Sequence, residues 1–280
     1  MTVRKPTKKS GKASALPLAP AKSTRAGSVD SGAGNDGERS AVKSLRKALG
    51  ILRAVTEAER APTVAEVAAQ TGLARATTHR LVQTLMTEGY LDQVDGRLSC
   101  GFSVLPLAAS LLDHNRLRLE ALPHLQTLAQ KTMQRTNLGI LHQKRLLYLA
   151  GIEKPSLPTI YSRFGRMVPA HCCSLGKVIL SYIPEDEVKA LIAVQPLVAK
   201  TSTTITSIRA FMNELATTRE RGYAIDKAEH VLGTYCIAAP IFDTHRRPIA
   251  AIGLSASALE PLLSEAPLVM HTAELISHMH

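Results

Sequence analysis

Between Val42 and Val55 the apolar residues Val42, Leu45, Leu49, Leu52 and Val55 recur every three or four positions, which is the spacing of one face of a helix. A second helix is signalled at Thr63, because Thr63 and Glu66 stand three apart and satisfy each other's backbone donors as a capping box. It buries Val64, Val67 and Ala68 and stops at Gly72, which takes positive φ without steric cost. A third helix follows from about Ala74 to Glu88, with Leu81 and Leu85 at core spacing and Val82 beside them. Tyr90 to Val94, Asp95-Gly96 and Arg97-Leu98 then read as strand, two-residue turn and strand. Two short helices, a tight turn and a hairpin make a winged helix-turn-helix, a layout that sets one helix into the DNA major groove.

The period changes downstream. Ser103 to about Leu119 reads as a helix whose Leu105, Leu107, Leu111 and Leu112 serve either a connector or an ordinary core, and Pro123 opens another helix with Leu125 and Leu128. Beyond Asn137 come short apolar runs that are strand candidates: Leu138 to His142, Leu146 to Gly151, Ile160 to Ser162, Tyr223 to Ile225, Tyr235 to Phe242 and Ile249 to Ser255. Helix candidates at Ser174 to Tyr182, Glu185 to Ile192, Ser207 to Arg221 and Ala266 to His280 alternate irregularly with them. The expected class is α+β, with helices packed on an antiparallel sheet.

The third helix carries the candidate chemistry. Arg75, Thr77, Thr78, His79, Arg80 and Gln83 populate its N-terminal half, where a recognition helix meets base edges, and these side chains supply the donors and acceptors that read them. Arg97 is expected on the wing, near phosphate. A capped helix pair with a polar face is also common in solvated bundles; the wing and the preceding amphipathic helix tip the balance toward DNA.

A formal net charge of +11 over 280 residues favours a polyanionic partner and salt-sensitive binding. Part of it lies in residues 1–39, whose Lys, Ser, Ala, Gly and Pro have little to bury and read as a disordered basic arm. Its apolar stretch, Ala15 to Ala21, is short and broken by Pro17 and Pro20, unlike a secretory signal. With no apolar run long enough to span a bilayer, a cytoplasmic location without membrane contact is expected. The four cysteines, Cys100, Cys172, Cys173 and Cys236, form no Cys-x-x-Cys pair and suit free thiols in a reducing compartment. His171-Cys172-Cys173 invites a metal or thiol-nucleophile reading, but neighbouring residues rarely face one ion, and a nucleophile needs a lowered pKa and a placed base. Neither a metal, a cofactor nor a catalytic residue is expected.

The chain resembles the IclR-type bacterial transcriptional regulators through AVKSLRKALGILRAV, TVAEVAAQTGLARATTHRLVQTLMTEGYL and RLSCGFSVLPLA, and then through VPAHCCSLGKVILSYI, RERGYAIDKAEHVLGTYCIAAPIFD and PIAAIGLSAS, from about Ala41 to the C-terminus. The resemblance implies a winged domain over 40–102, a linker helix over 103–119 and a GAF-like effector-binding domain over 120–280. It implies a pocket for a small organic acid or related metabolite at Ser174, Leu175, Asp226, Cys236, Ser255 and Ser257. Backbone N–H groups of Ser174 and Leu175 at a helix start suit a carboxylate, and the two serines add hydroxyls; Asp226 repels an anion unless it is paired or accepts from a ligand hydroxyl. Leu175 stands where the family usually has a small residue and Cys100 where it has Leu, so an aromatic or hydrophobic acid is as compatible as a small polar one. Aromatic residues are 4% of the chain with no Trp, which leaves Tyr161, Phe164 and Tyr235 for any stacking.

The expected protein is a homodimer or dimer of dimers on operator DNA with half-sites ~34 Å apart. Effector binding shifts its affinity, and repression is favoured over activation. The alternatives are a sensor whose winged domain contacts protein and, more remotely, a thiol enzyme.

Overall fold

The computed structural model describes residues 36–58, 60–154 and 164–280, with side chains described from Val42 onward. Contacts divide the chain after Lys47 into two compact units. The first contributes the opening of helix α1 (Asp36–Glu57), where Val42 and Leu45 are exposed. The arm expected over 1–39 lies outside the described residues up to position 35, and α1 starts at Asp36 within the remaining stretch.

The second unit, Ala48–His280, opens with a small core in which Ile51, Ala54 and Val55 of α1 pack with Val67 of α2 (Val64–Thr71), Val82 and Leu85 of α3 (Arg75–Thr87), Leu91 of β1 (Leu91–Val94) and Leu98 of β2 (Arg97–Cys100). The expected stripe on α1 is corrected: only its C-terminal part reaches this core, so Ile51 and Ala54 are buried while Leu49 is exposed. In α3 the buried apolar residues are Val82 and Leu85, and Leu81 packs only partly. The capping box forms as read, with Thr63 N donating to Glu66 Oε2 at 2.7 Å and Glu66 N donating to Thr63 Oγ1 at 3.2 Å. Asp95 (φ 51°) and Gly96 (φ 75°) both take positive φ and pair Val94 with Arg97, a two-residue turn whose twist suits the hairpin.

The single connecting helix expected over Ser103 to Leu119 is two helices, α4 (Val104–His114) and α5 (Arg116–Thr132). Asn115 separates them in an extended conformation, and its side chain accepts from Arg118 N at 2.9 Å, capping α5. Pro123 therefore lies inside α5 instead of opening it; the cap sets the start, and the proline sits at an exposed position.

The larger domain is a six-stranded antiparallel sheet ordered β5-β4-β3-β8-β7-β6. Its strands are β3 (Arg135–His142), β4 (Arg145–Ile152), β5 (Met167–Pro169), β6 (Ala224–Lys227), β7 (Tyr235–Phe242) and β8 (Pro248–Ala256). Helices α6 (Ser174–Leu180), α7 (Glu185–Val194), α8 (Ile208–Arg221), α9 (Glu260–Ser264) and α10 (Ala266–Ser277) complete it. The class is α+β, as expected. β5 and α9 were not anticipated, being too short to show a period, and the strand expected at Ile160 to Ser162 lies outside the described residues.

Strand alternation sorts the two faces. Ile237, Ala239 and Ile241 join Leu125 and Leu128 of α5 and Val269 and Ile276 of α10, while Ala238 and Ala251 meet Leu175, Val178 and Ile179 of α6. Each fully buried Leu, Ile or Val contributes about 1.5–3 kcal/mol. The small residues under α6 let it lie close to the sheet, and that places its N-terminus over β7 and β8.

Candidate nucleic-acid interface and effector pocket

Because α3 packs through Thr78, Val82 and Leu85, its opposite face carries Arg75, His79, Arg80 and Gln83 into solvent. Arg75, His79 and Gln83 repeat every fourth position, and Arg80 is adjacent. Thr77 is half-buried. Thr78 is 0% exposed and its hydroxyl donates to the Ala74 carbonyl at 3.2 Å, so it supports the helix instead of facing outward. Ala74 supplies no side-chain cap, which leaves the first-turn N–H groups of α3 available to an anion.

Arg97 is turned back on its own domain. Its Nη1 donates to the Ala61 carbonyl at 2.8 Å and lies 4.0 Å from Glu66 Oε2. Thr63's backbone and hydroxyl donors, aided by Arg60 and Arg97, hold Glu66 below the usual carboxylate range. The exposed hairpin also bears Asp92 and Asp95, so it carries no surplus of positive charge, whereas α3 exposes Arg75 and Arg80.

In the larger domain the strand register sets Asp226 opposite Cys236 and Cys236 opposite Ser255, one row across β6, β7 and β8. Cys236 Sγ and Ser255 Oγ are 3.2 Å apart, and Asn137 Nδ2 donates to Ser255 Oγ at 3.0 Å. Ser174 and Leu175 begin α6 above this row, where their N–H groups have no intrahelical acceptor. Gly176 is required there, since a Cβ on it would stand 2.1 Å from the Ala170 carbonyl oxygen. Ser174, Leu175, Cys236 and Ser255 line one cavity with Asn137 and Tyr148, and its volume is about 10 Å³, room for roughly one water. A metabolite enters only if these walls part. Ser257 falls beyond the end of β8 and is exposed, so of the two serines implied for the pocket only Ser255 faces it. Tyr161 lies outside the described residues, and Phe164 is exposed.

Asp226 is 2% exposed, and its Oδ1 accepts from Glu229 N at 2.7 Å. Burial pushes its pKa to about 7, Glu229 adds to the rise, and the Glu229 N–H and Lys177 oppose it. A protonated Asp226 has no charge with which to repel an organic anion.

Sequence reasoning missed the ion cluster beside it. Lys177 is 1% exposed; its Nζ donates to Glu229 Oε1 at 2.6 Å and to Glu214 Oε1 at 3.2 Å. The readable signal was a lysine within the apolar run of α6. Asn137 and Tyr148, also missed, gave no motif and are joined to the pocket only by strand register.

The His171-Cys172-Cys173 segment is buried. Burial, reinforced by Asp226 and Glu229, pushes the Cys172 thiol up to about 12, and burial also holds Cys173 well above the ordinary thiol value. His171 is pushed down by burial, and its Nε2 donates to the Val198 carbonyl at 3.1 Å. Raised thiols beside a ring nitrogen already committed to backbone are the reverse of an activated nucleophile. Among the described residues no three His, Cys, Asp or Glu side chains are placed to hold a metal ion, and no helix is long and apolar enough to cross a membrane.

Comparison with known proteins identifies the family of both domains. Residues 44–95 match the IclR helix-turn-helix domain, and residues 109–277 match the domain described as bacterial transcriptional regulator IclR C-terminal. The chain is 35% identical over 229 residues to the glycerol operon regulatory protein of Streptomyces coelicolor, covering 81% of this chain and 89% of that one. It is 33% identical over 216 residues to the transcriptional regulator XynR of Escherichia coli, covering 76% and 86%. A crystal structure of a transcriptional regulator from Rhodococcus superposes with a TM-score of 0.67 at 28% identity, over 84% of this chain and 97% of that one. The chain belongs to the IclR family of DNA-binding bacterial transcriptional regulators, with a helix-turn-helix domain followed by an effector-binding domain.

Proposed function

We propose that this regulator grips operator DNA through Arg75, His79, Arg80 and Gln83 of α3 and that a small organic acid, bound at Ser174, Leu175, Cys236 and Ser255, changes its affinity for that operator. The observation that carries the reading is the pairing of an outward cationic helix face with a closed cavity of about 10 Å³ under the free N–H groups of α6. A ligand that opens the cavity binds an arrangement different from the closed one, and such differential binding is what shifts a regulator between states. A coupling of about 1–3 kcal/mol changes operator occupancy about 5- to 150-fold.

We further propose a homodimer, or a pair of dimers, acting in the cytoplasm, with repression as the first reading of its sign. The support is α4, an eleven-residue helix with no buried residue, on which Leu105, Leu107 and Leu111 face solvent. A second copy is the partner that makes such a face useful on a two-fold operator. The domain limits that accompany this reading are 40–102 for DNA and 120–280 for the effector, with α4 and the first turn of α5 between them over 103–119.

The test is salt-varied binding of the full chain to DNA from its own upstream region and to unrelated DNA of equal length, with and without a panel of organic acids. Preference for its own DNA that one acid shifts is the expected result. Equal binding to all DNA, unmoved by any acid, would favour the protein-contact sensor.

A further inference from the structure

On the other side of the 3-10 turn Ala170–Cys172 lies a cavity that plays no part in the site above. Its volume is about 370 Å³, within the range of small-molecule sites. Leu191, Ile192, Leu197, Val198 and Phe211 give it an apolar body, while Arg145 and Lys200 stand in its wall. We propose that this cavity is a second binding site, selective for a carboxylic acid with an apolar or single-ring body, its carboxylate directed to Lys200 and Arg145.

The charge pattern selects the ligand. Lys200 makes no ion pair among the described residues. Arg145 is held in place by donating from Nη2 to the Met167 carbonyl at 2.7 Å, and its Nη1 donates to Glu57 Oε1 at 2.8 Å. Both members of that pair are partly exposed, 28% and 35%, so a ligand carboxylate displaces Glu57 at small cost. His171, in the same wall, is kept neutral by burial and by the nearby lysines, and its Nε2 is committed to Val198. The cavity thus offers one anchored guanidinium, Arg145, and one exposed ammonium, Lys200, beside an apolar floor, and an uncharged analogue of the ligand gains only the floor.

Position gives the site a consequence. Pro169, Ala170 and His171 line this cavity, and Cys173, Ser174 and Leu175 line the closed one, with Cys172 buried between them. An occupant therefore bears on one end of the segment whose other end forms the cradle at α6. Capture of Arg145 also releases Glu57, the last residue of α1. Only these consequences rest on the regulator reading; binding itself does not.

The test uses full-length protein labelled at Leu and Val methyl groups, titrated with benzoate and, in parallel, with benzamide. Saturable benzoate shifts are expected at Leu191, Leu197 and Val198, with none for benzamide. Lys200→Gln, at an exposed position, should weaken benzoate about tenfold or more, the cost of one lost charge-assisted bond. Glu57→Gln should tighten it by freeing Arg145. Shifts confined to Leu175 and Leu254, equal responses to benzamide, or affinity unmoved by Lys200→Gln each overturn the proposal. Operator preference persisting alongside any of those results would sink this inference and leave the regulator reading intact.

Discussion

Lys177 Nζ lies 2.6 Å from Glu229 Oε1 with both side chains sealed from solvent, a buried ion pair directly behind the first turn of α6. Lys177→Met removes the cation and leaves Glu229 charged in the interior, with Glu214 beside it. The expected loss is about 3–5 kcal/mol of stability, because an uncompensated buried charge costs more than the pair contributes. Urea denaturation should show part of that loss recovered in Lys177→Met/Glu229→Gln, and equal stability of the two variants would contradict a paired role.

Gly176→Ala tests the close approach that shapes the cradle. Its methyl group would stand 2.1 Å from a backbone oxygen of Ala170, an atom that cannot rotate away. Overpacking of this kind costs about 1–3 kcal/mol or more, so a melting temperature matching the parent protein would show that α6 sits further from the 3-10 turn.

Asp226 makes stability depend on pH. Its folded pKa, about 7, lies above the ordinary 3.8, so the folded chain binds more protons than the unfolded chain between those values. The contribution is therefore present at low pH and is lost as pH rises toward the folded pKa, at a rate of about 1.4 kcal/mol for each step of one in pH. Asp226→Asn, which cannot ionise, should gain stability relative to the parent as pH is raised from about 5 to about 8. A constant difference across that range would place the titration elsewhere.

On DNA, Arg75→Ala and Arg80→Ala should each weaken binding and lower the salt slope by about 1. Arg97→Ala should leave the slope unchanged and lower thermal stability, since its guanidinium is held by the Ala61 carbonyl. Thr78→Ala should likewise destabilise without altering base preference. A reduced slope for Arg97→Ala would show that the wing swings outward on DNA.

Leu105→Glu/Leu111→Glu should convert the assembly to monomers with little change in the melting of each chain, because neither residue is buried within it. Light scattering after size-exclusion chromatography reads this directly, and an unchanged mass would move the dimer interface away from α4.

Much of this molecule was legible in local patterns. The Thr63–Glu66 box, the Asp95-Gly96 turn, the eight-residue strand at Tyr235 to Phe242 and the helix beginning at Ser174 follow from spacing and backbone preference, which act over a few residues. The errors fall where local patterns compete. At Asn115 and Pro123 two plausible helix starts lay close together, and the side-chain cap at Asn115 prevailed.

By itself, then, the sequence determined the winged domain and the α+β class, because capping, turn chemistry and strand period are local forces, while the candidate effector residues came from the resemblance to a family. Tertiary structure alone decided which of those residues meet. Cross-strand register drew Asp226, Cys236 and Ser255 into one row and left Ser257 outside; packing buried Thr78, while the Ala61 carbonyl holds the exposed Arg97 against its own domain; and α6, lying close over small residues, buried Lys177 against Glu229. Register and burial are settled between segments far apart in the chain, where no window of neighbouring residues carries the information.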